Sequence, residues 1–112
     1  MNQLIEKKCN FELGNQLLTK KSIETQLKEL EGWRVNEQLT EIECMFAFKD
    51  FYETISFVNA VAYLSHCENH HPHLEVSYSR CRVRYTTHSL KGLSQNDFIC
   101  ATKVDALISI KS

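Results

Sequence analysis

One long helical segment in the middle of the chain limits the folds that this sequence can adopt. Asp50, with Glu53 three residues later, has the pattern of a capping box at the start of an apolar segment that runs to about residue 69. Pro72 disfavours helix at His71, so the chain must bend there. Two apolar stripes lie side by side on this helix. The first stripe contains Phe51, Ile55, Val58 and Ala62, and the second contains Phe57, Val61 and Leu64.

Segments in which apolar and polar side chains alternate lie on both sides of this helix. Before it, an extended segment at residues 33–35 and a polar turn lead to an alternating segment at 41–48. After it, residues 74–78 and 81–85 alternate across a short turn. Each pair predicts a β-hairpin with one buried face.

A further helix is predicted outside each hairpin. Residues 20–31 follow the capping residue Thr19 and end before Gly32, where a left-handed C-cap is expected. Ser94 and Asp97 form another capping box at the start of the last helix. The apolar face of this helix contains Phe98, Ala101, Val104, Leu107 and Ile108.

The resulting order α-β-β-α-β-β-α predicts an α+β fold of two layers. Two hairpins separated by a long helix most simply form one four-stranded antiparallel sheet, with the three helices on one face. Residues 19–112 are expected to form a single domain. Residues 1–18 show no clean period and are expected to form an irregular or loosely docked N-terminal arm.

Charge and cysteine content argue against several classes of partner. Thirteen basic and 14 acidic residues give a formal net charge of −1, so nucleic acid and membrane surfaces are not expected partners, and a small neutral ligand fits better. The chain has no apolar leader and no run of about 20 apolar residues. Its five cysteines lack any Cys-x-x-Cys pair, which favours reduced thiols in a cytoplasmic protein.

The histidines are the candidate functional residues. Four of the five lie between His66 and His73, and the fifth is His88, just after the last strand. The predicted topology brings the end of the central helix and the end of that strand toward the same region. His70, His71 and His88 could therefore surround one pocket, where imidazoles can give and take protons near neutral pH.

Two other interpretations of the histidines are open. His66 and His70 have helical ligand spacing for a metal, but a zinc protease requires Glu where this chain has Cys67, so no metal site is predicted. Alternatively, the histidines are exposed residues that the dipole favours at a helix C-terminus.

Several motifs, in order and spacing, resemble the pterin-4a-carbinolamine dehydratase family, also known as the dimerization cofactor of a homeodomain transcription factor. The motifs are Gly32-Trp33, Phe48-Lys49-Asp50-Phe51, His70-His71-Pro72, Thr87-His88, Gly92-Leu93-Ser94 and Asp97. The resemblance covers about residues 17–109. It implies a lyase that dehydrates 4a-hydroxy-tetrahydropterin from aromatic amino acid hydroxylases to quinonoid dihydropterin, without metal or organic cofactor.

The resemblance also implies the site residues. His70, His71 and His88 match the three active-site histidines and are expected to share general acid, general base and orienting roles. The substrate is expected to contact Asn69, Pro72, Thr86, Thr87, Ser89, Trp33 and Asp97. Trp33 could instead be only a core aromatic, and Asp97 mainly the carboxylate of its capping box.

The chain departs from the family pattern around the first two histidines. His66 and Asn69 stand where the family commonly has Glu and Asp, and His73-Leu74 replaces Glu-Trp. Because a carboxylate raises the pKa of a nearby imidazole, this loss favours neutral histidines and a shifted pH profile. We hypothesise that His66 replaces the usual carboxylate at the rim of the substrate pocket.

Two further classes of function are compatible with the sequence. A non-enzymatic assembly or transcriptional accessory could use the broad apolar face of the central helix, and a metal-binding module would be detected by elemental analysis. The spacing of the three histidines favours the enzyme. The second apolar stripe and the resemblance both predict a homo-oligomer, either a dimer or a tetramer.

Overall fold

The structure is a computed structural model that describes the backbone of residues 3–111 and the side chains of residues 3–108. Within these residues, the regular elements follow the predicted order. They are α1 (Lys20–Leu27), β1 (Arg34–Val35), β2 (Ile42–Ala47), α2 (Phe51–Glu68), β3 (His73–Val76), β4 (Arg80–Tyr85) and α3 (Gln95–Lys111). Short 3-10 turns span Gln3–Glu6, Leu13–Asn15 and His88–Leu90.

The four strands form one antiparallel sheet in the spatial order β1-β2-β4-β3. Alternate side chains of β2 and β4 are buried, because every second residue of a strand faces the same side of the sheet. These buried residues are Ile42, Cys44, Cys81, Val83 and Tyr85. They pack in one core with the buried faces of α2 and α3, which confirms the predicted α+β fold.

Helix ends differ from the prediction by one to four residues. Helix α1 stops at Leu27 because the N–H groups of Glu29 and Leu30 bond to carbonyls only three residues earlier, which tightens the chain into turns. Gly32 keeps the predicted left-handed conformation, with φ of 80°, one turn beyond the helix. Helix α2 ends at Glu68, one residue earlier than predicted.

The two apolar stripes of α2 face the core to different extents, and Val58 of the first stripe is only partly buried against it. Phe57 and Val61 of the second stripe are buried, whereas Phe51 at the start of the first is 44% exposed and Tyr52 beside it is 82% exposed. This exposed apolar surface agrees with the excess predicted from the sequence. Among the described residues, no helix is long and apolar enough to cross a membrane.

Residues 3–18, called the N-terminal segment below, are irregular between their two 3-10 turns and are held against α2 and α3. The backbone N–H of Cys9 donates to Glu68 Oε1 over 2.9 Å, and Cys9 itself is buried. The N–H of Leu18 donates to the carbonyl of Leu93 over 2.9 Å. Contacts at both ends therefore fix this segment beside the histidine-rich end of α2.

Candidate active site

The end of α2 sets the direction of the histidine segment. Asn69 adopts a left-handed conformation, with φ of 51° and ψ of 41°, and its N–H donates to the carbonyls of Ser65 and His66. Asparagine tolerates this conformation better than most residues, so it can end the helix without glycine. The chain then continues through His70, whose side chain is 15% exposed, and His71, which is exposed to solvent.

His70 points into the domain and pairs with a buried carboxylate. Its Nε2 lies 2.6 Å from Asp97 Oδ1, and the side chains are 15% and 0% exposed, respectively. Because a carboxylate oxygen accepts hydrogen bonds, this geometry assigns the proton to Nε2 and leaves Nδ1 for other contacts. Asp97, expected from the sequence to contact the substrate, thus pairs with His70, so a carboxylate does lie beside this histidine although none stands at positions 66 and 69.

Two hydroxyl residues complete the surroundings of Asp97. Its Oδ2 accepts a hydrogen bond from Thr87 Oγ1 over 2.8 Å and another from the N–H of Ser94 over 2.9 Å. Thr87 Oγ1 also lies 2.7 Å from Ser94 Oγ. Asp97 thus acts as the carboxylate of the predicted capping box and, at the same time, as the anchor of His70. The buried cluster of His70, Thr87, Ser94 and Asp97 is called the His70 cluster below.

An aromatic ring from the sheet supports His70 from beneath. The ring of Tyr85 stacks on the imidazole with a centroid distance of 5.7 Å and an interplanar angle of 10°. Tyr85 is fully buried, and this burial raises the pKa of its hydroxyl. The neutral ring therefore serves as a flat surface that fixes the plane of the imidazole.

His71 and His88 form a second pair of histidines, which is exposed. Their ring centroids are 6.4 Å apart and their planes differ by 30°. Both residues are exposed to solvent. Two accessible imidazoles at this distance can contact one small ligand and exchange protons with it.

Three cavities adjoin these histidines. A cavity of about 260 Å³ is lined by four predicted site residues, Asn69, His70, Thr87 and Ser89, together with the N-terminal segment. A second, of about 210 Å³, is lined by His71, Thr86 and His88, and by Glu41, His73 and Arg84. A third, of about 320 Å³, is lined by Thr86 and His88 and by Asn36, Thr40, Glu41 and Lys91. The structure therefore divides the predicted site residues among three cavities.

Four predicted site residues do not line any of these cavities. Asp97 lies behind His70, and Pro72 is half-buried where the chain enters β3. His66 is exposed in the last turn of α2. Trp33 is 5% exposed, donates from Nε1 to Asp105 Oδ1 over 2.9 Å, and packs beside Tyr85. The position of Trp33 matches its alternative interpretation as a core aromatic.

Three contributors to the site were not singled out from the sequence. Tyr85 ends the alternating segment 81–85, which predicted only a strand with one buried face. Glu68 lies in the histidine-rich stretch, and its carboxylate bonds to Lys103 Nζ over 2.7 Å. Burial opposes ionisation of Glu68, but the hydrogen bonds from Lys103 and Cys9 N–H outweigh it and lower its pKa. The N-terminal segment carries no sequence pattern that relates it to the histidines.

Within the part of the chain that the structure describes, no group of three or more His, Cys, Asp or Glu side chains is arranged to hold a metal ion. The fold and the histidines thus define an α+β domain with a candidate acid–base site. The sequence profile of the family Pterin 4 alpha carbinolamine dehydratase matches residues 16–107. The chain belongs to this family.

Relatives and solved structures agree with this assignment. A Nitrosomonas eutropha protein with the provisional name pterin-4-alpha-carbinolamine dehydratase is 50% identical over 107 residues, which cover 94% of this chain and 93% of that protein. A Legionella pneumophila protein with the same provisional name is 55% identical over 76 residues, covering 68% and 67%.

The structural neighbours share the fold. The crystal structure of a transcriptional coactivator/pterin dehydratase from Brucella melitensis is similar with a TM-score of 0.78 and 31% identity, covering 81% of this chain and 97% of that one. A pterin dehydratase-like protein, described as a RuBisCO assembly factor in the alpha-carboxysome, has a TM-score of 0.60 and 24% identity, covering 69% and 89%. The second likeness concerns the fold alone.

Proposed function

We propose that this protein is a lyase that dehydrates 4a-hydroxy-tetrahydropterin (pterin-4a-carbinolamine) to quinonoid dihydropterin. The observation that carries the proposal is the exposed pair of imidazoles, His71 and His88, with ring centroids 6.4 Å apart beside the fixed His70. Family membership supplies the substrate class.

The reaction requires two proton transfers on one small molecule. The C4a–O bond breaks as the hydroxyl accepts a proton and leaves as water, while the proton on N5 passes to a base as the C=N bond forms. The proton given to the hydroxyl and the proton taken from N5 balance. No metal or organic cofactor is therefore needed for this step.

His71 and His88 are suited to the two proton transfers, because both are accessible to a ligand. His70 has one nitrogen bound to Asp97, so we assign it the role of orienting the substrate through the other nitrogen. Asn69, Thr86, Thr87 and Ser89 flank the three histidines and supply polar groups for the heterocycle.

The cellular setting is part of the same proposal. A cytoplasmic enzyme of this kind would take up the 4a-hydroxy compound that an aromatic amino acid hydroxylase releases and give quinonoid dihydropterin, which a separate reductase must reduce before the hydroxylase can use it again. The exposed apolar surface of α2 supports a homo-oligomer, a dimer or a tetramer, which sedimentation can distinguish.

A non-enzymatic accessory role is a second candidate, favoured by the exposed aromatic surface. Tyr52 and Tyr63 on α2 are 82% and 71% exposed, and Tyr78 is 66% exposed. Such rings are common at protein interfaces. This role predicts no dehydratase activity and a partner that depends on these rings.

Decay of 4a-hydroxy-tetrahydropterin, generated in place and followed by absorbance, tests the enzyme directly. We expect wild-type protein to accelerate the decay, and His71→Ala and His88→Ala each to lose most of that acceleration. The exposed turn residue Gln38 provides a matched control, since Gln38→Ala should act as wild type. Decay no faster than in buffer would reject the enzyme and favour the accessory role.

A further inference from the structure

The N-terminal segment forms one wall of the cavity that opens onto His70. Five of the residues that line this cavity of about 260 Å³ belong to the segment, and the opposite wall contains four predicted site residues. The segment residues are Cys9, Asn10, Phe11, Gly14 and Asn15. The family profile begins at residue 16, so it assigns no role to these five residues.

Hydrogen bonds on both sides of Phe11 hold this wall in place. Asn10 and Asn96 bond reciprocally, since Asn10 N–H donates to Asn96 Oδ1 over 3.2 Å and Asn96 Nδ2 donates to the Asn10 carbonyl over 2.9 Å. Asn10 Oδ1 also accepts from the N–H of Leu13 over 2.9 Å. Phe11 therefore lies in a turn whose backbone is fixed before and after it.

Close contacts continue along the segment. Gly14 lies so near Asn96 that a Cβ at this position would be 3.0 Å from Asn96 Nδ2. Sγ of Cys9 lies 3.5 Å from Sγ of the buried Cys100 on α3. These contacts position the wall relative to the helix that carries Asp97.

Phe11 is the unexplained residue of this wall. It is 84% exposed, although it lines a cavity whose other residues are mostly polar. Exposing an aromatic ring gives no folding free energy, but the face of a ring is a good surface for stacking a flat heterocycle. The side chains of Asn15 and Asn69, in the same cavity, form no hydrogen bond to any described residue and can meet polar ring edges.

We propose that Phe11 is a substrate-binding residue that stacks on the bicyclic ring of the pterin above His70, with the N-terminal segment as part of the site. This inference rests on the proposed function for the identity of the ligand. The stacking contact forms with substrate and transition state alike, so it lowers KM and leaves kcat unchanged.

Steady-state kinetics and equilibrium dialysis with 7,8-dihydrobiopterin, a stable relative of the product, test the proposal together. We expect Phe11→Ala to raise KM and the dissociation constant about tenfold, with kcat within about twofold of wild type. Phe11→Tyr should bind as wild type does, because the aromatic face remains. Val76→Ala is the matched control: Val76 is a 42% exposed apolar residue of β3 that does not line the cavity.

The outcomes separate this inference from the proposed function. If Phe11→Ala binds 7,8-dihydrobiopterin as tightly as an active wild-type protein, Phe11 has no substrate role and the lyase stands. If wild type binds the pterin without turnover, weaker binding by Phe11→Ala still supports the contact and unchanged binding rejects it. If wild type neither binds nor turns over, both proposals fail. Urea unfolding of each variant checks that the exposed substitution leaves the fold intact.

Discussion

His70 and His71 are neighbours in sequence but lie in opposite surroundings. His70 is 15% exposed, stacked on Tyr85 and held by Asp97 at 2.6 Å. His71 is exposed and contacts only the ring of His88, at 6.4 Å, among the ring contacts of the described residues. One histidine is thus fixed by the fold, and the next is free to meet a ligand.

This difference suggests a division of labour. A proton-transfer group must reach the substrate and change its protonation state, which suits the exposed pair of His71 and His88. An orienting group must keep one position, which suits the His70 cluster. The two regions should therefore respond differently to substitution. Changes in the His70 cluster should lower both stability and activity, whereas changes at His71 or His88 should lower activity alone.

The largest effect is expected at Asp97. Asp97→Ala leaves the buried donors on His70, Thr87 and Ser94 without their acceptor, which we expect to cost about 3–5 kcal/mol of unfolding free energy. Dehydratase activity should fall as well, because His70 loses its position. Urea unfolding followed by fluorescence measures the stability, and the milder Asp97→Asn keeps the activity assay possible if Asp97→Ala does not fold. A stability loss below about 1 kcal/mol would show that the buried pair is not an anchor.

Substitutions in the exposed pair, His71 and His88, should lower kcat strongly and change stability little. His71→Ala and His88→Ala are each expected to lower kcat by about 10²–10⁴-fold, the usual range for a lost acid or base. Their unfolding free energies should stay within about 0.5 kcal/mol of wild type, because exposed side chains contribute little. Steady-state kinetics and urea unfolding of these variants, measured alongside the Asp97 variants, compare the two regions. Full activity in both variants would remove the pair from the mechanism.

A smaller, pH-dependent effect is expected at Glu68, the carboxylate that holds the N-terminal segment beside His70. Hydrogen bonds from Lys103 and Cys9 hold its pKa below the ordinary value of 4.5, although burial acts in the other direction. The folded protein therefore binds fewer protons at this group than the unfolded chain does, so its contribution is complete above pH 4.5 and is lost as the pH falls below that value.

Glu68→Gln should thus destabilise the protein by about 2 kcal/mol near neutral pH and by less in acid. Urea unfolding between neutral pH and the acid limit of the native state measures this difference. Glu24→Gln, on the exposed face of α1, serves as the control and should change stability little at any pH. A difference between Glu68→Gln and wild type that stayed constant with pH would contradict the hydrogen-bonded carboxylate.

The fold could be predicted because its signals are local. Alternation in 41–48 and 81–85 and the long apolar segment after Asp50 each specify one element, and short connections leave few ways to join them. Element ends were less certain. Asn69 adopts the left-handed conformation that ends α2, and α1 tightens into turns before Gly32. Neither of these helix ends has a strong sequence signal.

The candidate site was predicted less completely because its key contacts are distant in sequence. The hydrogen bond between His70 and Asp97 joins residues 27 positions apart. The one between Cys9 and Glu68 joins residues 59 positions apart. Spacing can indicate that histidines lie near one end of a sheet, but it does not indicate which of two adjacent histidines turns inward. That choice depends on the core, where Tyr85 offers a flat surface to only one of them.

The smallest effect is expected at His66, which tests whether any histidine besides the three belongs to the site. His66 lies in the last turn of α2 and is exposed, and the hypothesis from the resemblance is that it replaces a carboxylate at the rim of the substrate pocket. If His66 does replace that carboxylate, His66→Ala should shift the pH profile of kcat/KM. The maximum of the profile should fall by no more than about threefold, because the His66 imidazole acts on neighbouring groups and not on the reacting atoms. His66→Glu should restore the charge that the family uses and move the profile in the direction of a raised imidazole pKa. If both variants reproduce the wild-type profile, His66 is an exposed helix-end histidine, and the division between a fixed His70 and an accessible pair of His71 and His88 accounts for the site without it.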